Sequence, residues 1–82
     1  VRQIGEWNSG HIEGATHITA ATLPERYDEI PKGRPVAVVC GSGYRASVVT
    51  SLLKRQGWRD VFNVFGGMVA WNHAGFKTVK PS

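Results

Sequence analysis

The chain is 82 residues long, carries a formal net charge of +4, and is 41% hydrophobic and 20% charged. This length and composition indicate one small globular domain over residues 1–82, and they exclude a disordered chain and a two-domain enzyme. No apolar run approaches the roughly 18 residues that a membrane span needs, and the basic residues are scattered rather than clustered. We therefore expect no membrane partner and no nucleic-acid partner.

The first third of the chain predicts only weak elements of secondary structure. Arg2 and Glu6 are four residues apart, the spacing of an exposed ion pair on a helix. A turn of helix from Glu6 ends at Gly10. A short strand is predicted at residues 17–19 and a short helix at residues 23–30.

The remaining chain predicts a strand, a helix and a second strand. Residues 36–39 are continuously apolar and rich in β-branched side chains, as is typical of strands buried on both faces. Residues 61–64 predict the second clear strand. Between them, residues 45–56 carry apolar side chains at helical spacing. A helix of this length can connect two parallel strands by a right-handed crossover, so we expect the two strands to be parallel and adjacent or nearly adjacent. A last short helix is predicted at residues 68–73.

These elements predict an α/β fold with layers of helix around a central parallel sheet. Two strong strands and one weak strand make a thin sheet for this number of helices. We therefore expect the domain to lack one or more N-terminal strands before Val1, through truncation or because it is a fragment of a larger protein. The side chains expected to be largely buried in the core are Val38, Val49, Leu52, Leu53, Val64 and Trp71.

Cys40 is the only cysteine of the chain, which excludes an internal disulfide and a cysteine-based zinc cluster. A lone cysteine in a disulfide-free chain is typical of a reducing compartment, so we expect a cytoplasmic location. His17 and His73 have no spacing suited to a metal ion, so we expect no metal site.

Cys40 directly follows the strongest predicted strand and precedes a helix. Ligands of open α/β sheets bind at the carboxyl ends of strands, beside helix N-termini. Gly41 and Gly43 allow backbone N–H groups to turn toward an anion, the helix adds the positive end of its dipole, and Arg45 adds a fixed charge. All three favour the thiolate, so we predict a nucleophilic cysteine with a lowered pKa rather than a buried structural one.

Four segments of the chain resemble motifs of the rhodanese (sulfurtransferase) family. Residues 40–46 (CGSGYRA) resemble the family's active-site loop. Residues 10–15 (GHIEGA) are similar to its upstream signature, residues 66–71 (GGMVAW) to its closing segment, and residues 1–7 (VRQIGEW) to the end of an Asp-Val-Arg-x-x-x-Glu-Trp stretch. The order and spacing of all four agree with the family. The family's first two strands and the Asp of that stretch are absent, which favours truncation.

The resemblance implies a rhodanese-like three-layer fold and a two-step sulfur transfer without a cofactor. A catalytic Cys40 takes sulfur from a small donor such as thiosulfate or a persulfide, and the resulting persulfide passes it to a thiol or to cyanide. The loop N–H groups hold the terminal sulfur, and Arg45 orients an anionic donor. The substrate-binding residues implied in this way are Gly41, Ser42, Gly43, Tyr44 and Arg45.

Three alternatives differ in chemistry from an independent sulfurtransferase. A phosphatase or arsenate reductase of related fold has five residues between its cysteine and arginine. Four residues separate Cys40 from Arg45, so the loop fits a single sulfur better than a tetrahedral oxyanion. An inactive rhodanese-like binding or regulatory module usually lacks the cysteine that is present here. A sulfur-relay domain would instead receive its sulfur from an attached or separate partner domain of a larger protein.

Overall fold

A parallel pair of strands lies at the centre of the fold. The computed structural model describes residues 1–42 and 44–80, and in it strands β1 (Val36–Val38) and β2 (Val61–Asn63) are joined by helix α2 (Tyr44–Arg55). The two strands run parallel and pair residue by residue along their whole length. The predicted strand–helix–strand unit is confirmed, with each element ending one residue earlier than its sequence pattern indicated.

Helix α2 covers this sheet and packs against both strands. Ala46, Val49 and Leu53 are buried, and because they are three and four residues apart they form one apolar stripe along the helix. Lys54 and Arg55 occupy the last turn, where positive charge interacts favourably with the negative end of the helix dipole. The helix therefore presents its apolar side to the sheet and a basic end to solvent.

The core differs in part from its prediction. Of the six expected residues, Val38, Val49 and Leu53 are buried, whereas Leu52, Val64 and Trp71 are only half-buried. Leu52 precedes the buried Leu53 by one residue, and its side chain is therefore rotated by about 100° around the helix axis. It packs at the rim of the core. The buried residues that make up the hydrophobic core are Ile18, Leu23, Val38, Cys40, Ala46, Val49, Leu53, Trp58 and Val61.

The N-terminal part folds into short helical turns. Helix α1 spans Ile4–Ser9, and two 3₁₀ helices span Ala20–Glu25 and Tyr27–Glu29. The helix predicted at residues 23–30 was therefore wrong in type: Pro24 lies within the first 3₁₀ helix, where it has no N–H to continue a regular α-helical ladder.

The strand predicted at residues 17–19 does not form, although Ile18 is buried in the core. The chain end returns to this region through a single antiparallel bridge between His11 and Val79. Each of these two residues donates its backbone N–H to the other's carbonyl oxygen at 2.8 Å. In the described part of the chain, no helix is long and apolar enough to cross a membrane.

Candidate active site

Cys40 lies two residues beyond β1, at the carboxyl end of the parallel sheet. None of its surface is exposed. The backbone N–H of Ala46, in the first turn of α2, donates to the Cys40 Sγ at 3.3 Å. An N–H group at a helix N-terminus stabilises negative charge on a sulfur. This donor lies one residue beyond the segment Gly41–Arg45 from which the sequence predicted the N–H groups.

The residues that follow Cys40 differ in their exposure. Gly41 is half-buried and Ser42 is exposed. Tyr44 is the first residue of α2 and has 79% of its surface exposed, so its ring stands free at the rim of the site. Arg45 is half-buried. Gly43 lies outside the described residues, and its part in the loop remains a prediction.

The loop after β2 supports the loop after β1. Helix α3 (Gly67–His73) begins beside Cys40, where the Met68 N–H donates to the Cys40 carbonyl oxygen at 2.8 Å and the Val69 N–H donates to the Gly41 carbonyl oxygen at 2.9 Å. The first N–H groups of a helix have no acceptor within the helix. Two such groups of α3 instead bond to, and thereby fix, the backbone that carries the cysteine.

Gly67 makes this close approach of the two loops feasible. Its φ is +58°, in the left-handed region that favours glycine. A Cβ atom at this position would overlap the carbonyl oxygens of both Cys40 and Gly41. Glycine is therefore required at the second position of the segment GGMVAW, because only a residue without a side chain fits against the Cys40 loop.

An ion pair joins α1 to the start of α2 above this loop. The two terminal nitrogens of Arg45, Nη1 and Nη2, donate to the two carboxylate oxygens of Glu6 at 2.8 and 2.9 Å. The pair lies directly over Gly41, since a Cβ built there would be 3.3 Å from Glu6 Oε2 and 3.4 Å from Arg45 Nη2. Side-chain exposure is about one third for both partners, at 34% and 37%.

The Arg45 hydrogen bonds, together with the backbone N–H of Gln3 at 2.9 Å, hold the pKa of the Glu6 carboxyl well below its ordinary value of 4.5, at about 2. Glu6 is therefore ionised throughout the neutral range. The same hydrogen bonds are the main cause that raises the pKa of Arg45, and the charge of Cys40 acts in the same direction. Arg45 and the Cys40 sulfur thus interact electrostatically across the loop.

The predicted ion pair between Arg2 and Glu6 was wrong. Arg2 is buried, with 8% of its surface exposed, and its guanidinium donates to the backbone oxygens of Gly10 and Glu6, both at 2.7 Å. Arg2 thereby connects the segment before α1 to the helix itself and to the residue that follows it. Local spacing predicted the wrong partner because Glu6 is held by a residue 39 positions along the chain, a separation that carries no periodic signal.

An aromatic stack joins α1 to the residues that follow it. The Trp7 ring lies 3.6 Å from the His11 ring and nearly parallel to it, and 4.9 Å from the His17 ring. His17 Nε2 also donates to the Arg2 carbonyl oxygen at 2.6 Å. Among the described residues no group of three His, Cys, Asp or Glu side chains is placed to hold a metal ion.

Comparison with known proteins agrees with this fold. The family profile described as "Rhodanese-like domain" matches residues 1–74, and the chain belongs to that family. A rhodanese-related protein from Thermoplasma volcanium, solved by crystallography, superposes with a TM-score of 0.93 at 26% identity, over 99% of this chain and 80% of the other. The predicted rhodanese fold is thereby confirmed.

Relatives of the chain are named as sulfurtransferases. The thiosulfate sulfurtransferase GlpE of Tolumonas auensis is 34% identical over 73 residues, which cover 89% of this chain and 69% of that protein. The Bacillus subtilis protein YrkF is also 34% identical, over 71 residues that cover 87% of this chain. The chain spans only 38% of the length of YrkF.

Proposed function

We propose that the protein transfers sulfane sulfur from a small donor to a thiophilic acceptor through a persulfide on Cys40. The observation that carries the proposal is the position of Cys40: its Sγ accepts the Ala46 N–H at the start of α2, at the carboxyl end of the sheet in a rhodanese-like domain. Relatives named as sulfurtransferases support the same chemistry.

In the first step the Cys40 thiolate attacks the outer sulfur of the donor. With thiosulfate, the bond between the two donor sulfurs breaks and its electron pair leaves on sulfite, so that Cys40 carries a persulfide anion. The Ala46 N–H and the dipole of α2 stabilise negative charge on sulfur before and after this step. Because Cys40 exposes no surface, donor access requires a displacement of the loop atoms around it.

In the second step an acceptor attacks the terminal sulfur of the persulfide. Cyanide takes this sulfur as thiocyanate and the Cys40 thiolate is regenerated, so the two steps consume no oxidant or reductant. The backbone groups of Gly41, Ser42, Gly43 and Tyr44 form the candidate binding site for the transferred sulfur, and Arg45 is the candidate group for an anionic donor. Neither step uses a metal or an organic cofactor.

Mass spectrometry of the intact protein tests this proposal. Incubation with thiosulfate or a low-molecular-weight persulfide should add the mass of one sulfur atom, and cyanide should remove it. The Cys40→Ser variant should show neither event, while its circular dichroism remains that of the folded domain. Sulfur transfer by Cys40→Ser at the wild-type rate would overturn the assignment of the nucleophile.

A phosphatase assay decides the main alternative in the same preparation. The wild-type protein should release no phosphate from an aryl phosphate beyond the rate of Cys40→Ser. Release of phosphate that depends on Cys40, without any uptake of sulfur, would replace the sulfurtransferase proposal by the phosphatase one.

A further inference from the structure

The Glu6–Arg45 ion pair occupies the place where an anionic sulfur donor would meet the site. Both terminal nitrogens of the Arg45 guanidinium already donate to a carboxylate, and this carboxylate lies over Gly41, the residue next to the nucleophile. We predicted that the positive charge of Arg45 attracts an anionic donor. That charge is instead paired with the negative charge of Glu6, which lies within hydrogen-bond distance.

We propose that Glu6 is a specificity-determining residue that competes with anionic donors for Arg45, and thereby removes the preference for anionic donors that an unpaired Arg45 would give. This inference rests on the proposed function of Cys40. It follows from the geometry of a bidentate pair, because a second anion can use the planar fork of an arginine only by displacing the carboxylate already bound there.

Three residues, Arg2, Gln3 and Arg45, hold Glu6 in this position. Its Oε1 accepts the backbone N–H of Gln3 at 2.9 Å in addition to Arg45 Nη1 at 2.8 Å, and its own backbone oxygen accepts a bond from Arg2 Nη2 at 2.7 Å. The carboxylate is therefore attached to the start of α1 as well as to Arg45. A donor anion that displaced it would leave one negative charge in place beside the negative charge of the donor.

The two charges of the pair also cancel as seen from solvent. A free guanidinium beside the loop would raise the local concentration of a dianion such as thiosulfate. Paired with Glu6, it presents a dipole, whose field falls off faster with distance than that of a single charge. The entrance to Cys40 should consequently discriminate little between an anion and a neutral molecule of the same size, despite the net charge of +4.

Alkylation of Cys40 measures this discrimination without sulfur transfer. Cys40 is the only cysteine of the chain, so iodoacetate and iodoacetamide report on one site with an anionic and a neutral probe. The ratio of their rate constants cancels both the thiolate fraction and the opening of the loop. Normalised to the same ratio for N-acetylcysteine amide, the wild-type value should lie within about twofold of one at low ionic strength.

The Glu6→Gln variant should raise this normalised ratio about threefold or more, because Arg45 then presents an uncompensated charge. The increase should disappear in 0.5 M salt, roughly where the screening length falls to a few ångströms. An unchanged ratio in Glu6→Gln, or a lower one, would overturn the proposal.

Glu29→Gln is the matched control. Glu29 accepts Arg26 Nε and Nη2, both at 2.6 Å, in a second bidentate pair, so its neutralisation changes the net charge equally. The normalised ratio should stay at the wild-type value. A rise equal to that of Glu6→Gln would show that overall charge, and not Glu6, determines access.

Wild-type protein alone provides a second measurement if Glu6→Gln does not fold. Its normalised ratio should change less than about twofold between 0.02 and 0.5 M salt, because a closed ion pair offers little field to screen. A ratio well above one that falls steeply with added salt would show an accessible positive charge at Arg45 and would overturn the proposal.

Steady-state kinetics of sulfur transfer test whether the charge of Glu6 affects the KM for an anionic donor. Glu6→Gln should lower the KM for thiosulfate about threefold or more with a smaller change in kcat. A higher KM would contradict the proposal, since Glu6 would then help Arg45 to bind the donor. If wild-type protein takes up no sulfur at all, the proposed function fails, whereas the alkylation ratios still decide the role of Glu6.

Discussion

The two loops that follow the parallel strands differ in what they contribute. The loop after β1 carries the proposed nucleophile, Cys40, and an ion pair above Gly41. The loop after β2 has no titratable side chain between Val64 and Met68 and instead donates backbone hydrogen bonds to the first loop. The two loops at the carboxyl end of the sheet therefore differ in kind: one carries the cysteine to which we assign the chemistry, and the other holds the backbone of that cysteine in place.

The strongest test of this division is Gly67→Ala, which adds one methyl group where the second loop touches the first. A Cβ there overlaps two carbonyl oxygens and requires a left-handed φ. The combined steric and backbone effects should lower the free energy of unfolding by about 2–5 kcal/mol. Urea denaturation measures this change, and alkylation of Cys40 should become faster because the loop is less constrained.

Gly75→Ala separates the steric effect of Gly67→Ala from its effect on backbone conformation. Gly75 also has a left-handed φ, +78°, but no atom lies within 4 Å of a Cβ built there. Its replacement should cost only about 1 kcal/mol, with no change in Cys40 alkylation. Equal losses for the two variants would show that backbone conformation alone matters and that the second loop does not support the first.

A smaller effect concerns the ion pair above the first loop and depends on pH. The pKa of Glu6 is about 2 in the folded protein, against an ordinary 4.5. A lowered carboxyl pKa adds stability that is fully present above pH 4.5 and is lost as the pH falls toward 2. Wild-type protein should therefore be more stable than Glu6→Gln near pH 6.

This difference should narrow progressively between pH 4.5 and 2, as measured by urea denaturation at several pH values. A difference that is constant down to pH 2.5 would mean that Glu6 stabilises the protein by packing or neutral hydrogen bonds rather than as a carboxylate paired with Arg45.

The smallest effect is expected at the outer side of the second loop. Phe65 has 96% of its surface exposed, so Phe65→Ser should change the free energy of unfolding by no more than about 0.5 kcal/mol. A thermal or urea unfolding curve tests this directly. A loss above 1 kcal/mol would show that the second loop also stabilises the fold through its side chains, and not only through its backbone.

The sequence predicted the framework of the site more reliably than its surroundings. The strand–helix–strand unit and the position of Cys40 follow from local patterns: apolar runs of strand length, helical spacing of Ala46, Val49 and Leu53, and a glycine-containing turn between them. The four family-like segments also predicted the fold. These signals are local because each element must satisfy its own backbone and bury its own apolar face.

Local patterns failed where a side chain has several candidate partners. The spacing of Arg2 and Glu6 indicated an ion pair, yet Arg2 is buried against backbone oxygens. The helical pattern of α2 could not predict which of the adjacent residues Leu52 and Leu53 is the more buried. The orientation of the helix on the sheet decides which side chain is enclosed. Pro24 and the surrounding 3₁₀ turns were likewise read as a regular helix.

The amino-acid sequence by itself determined the crossover unit, the position of Cys40 just beyond the end of β1 and the resemblance to a family, because hydrophobic periodicity and turn residues act over a few positions. Only the tertiary structure decided that Glu6 pairs with Arg45, 39 residues along the chain. The same is true of the close packing of Gly67 against the backbone of Cys40 and Gly41. Both contacts join segments that are distant along the chain. Their formation depends on how the elements pack, which no local pattern encodes.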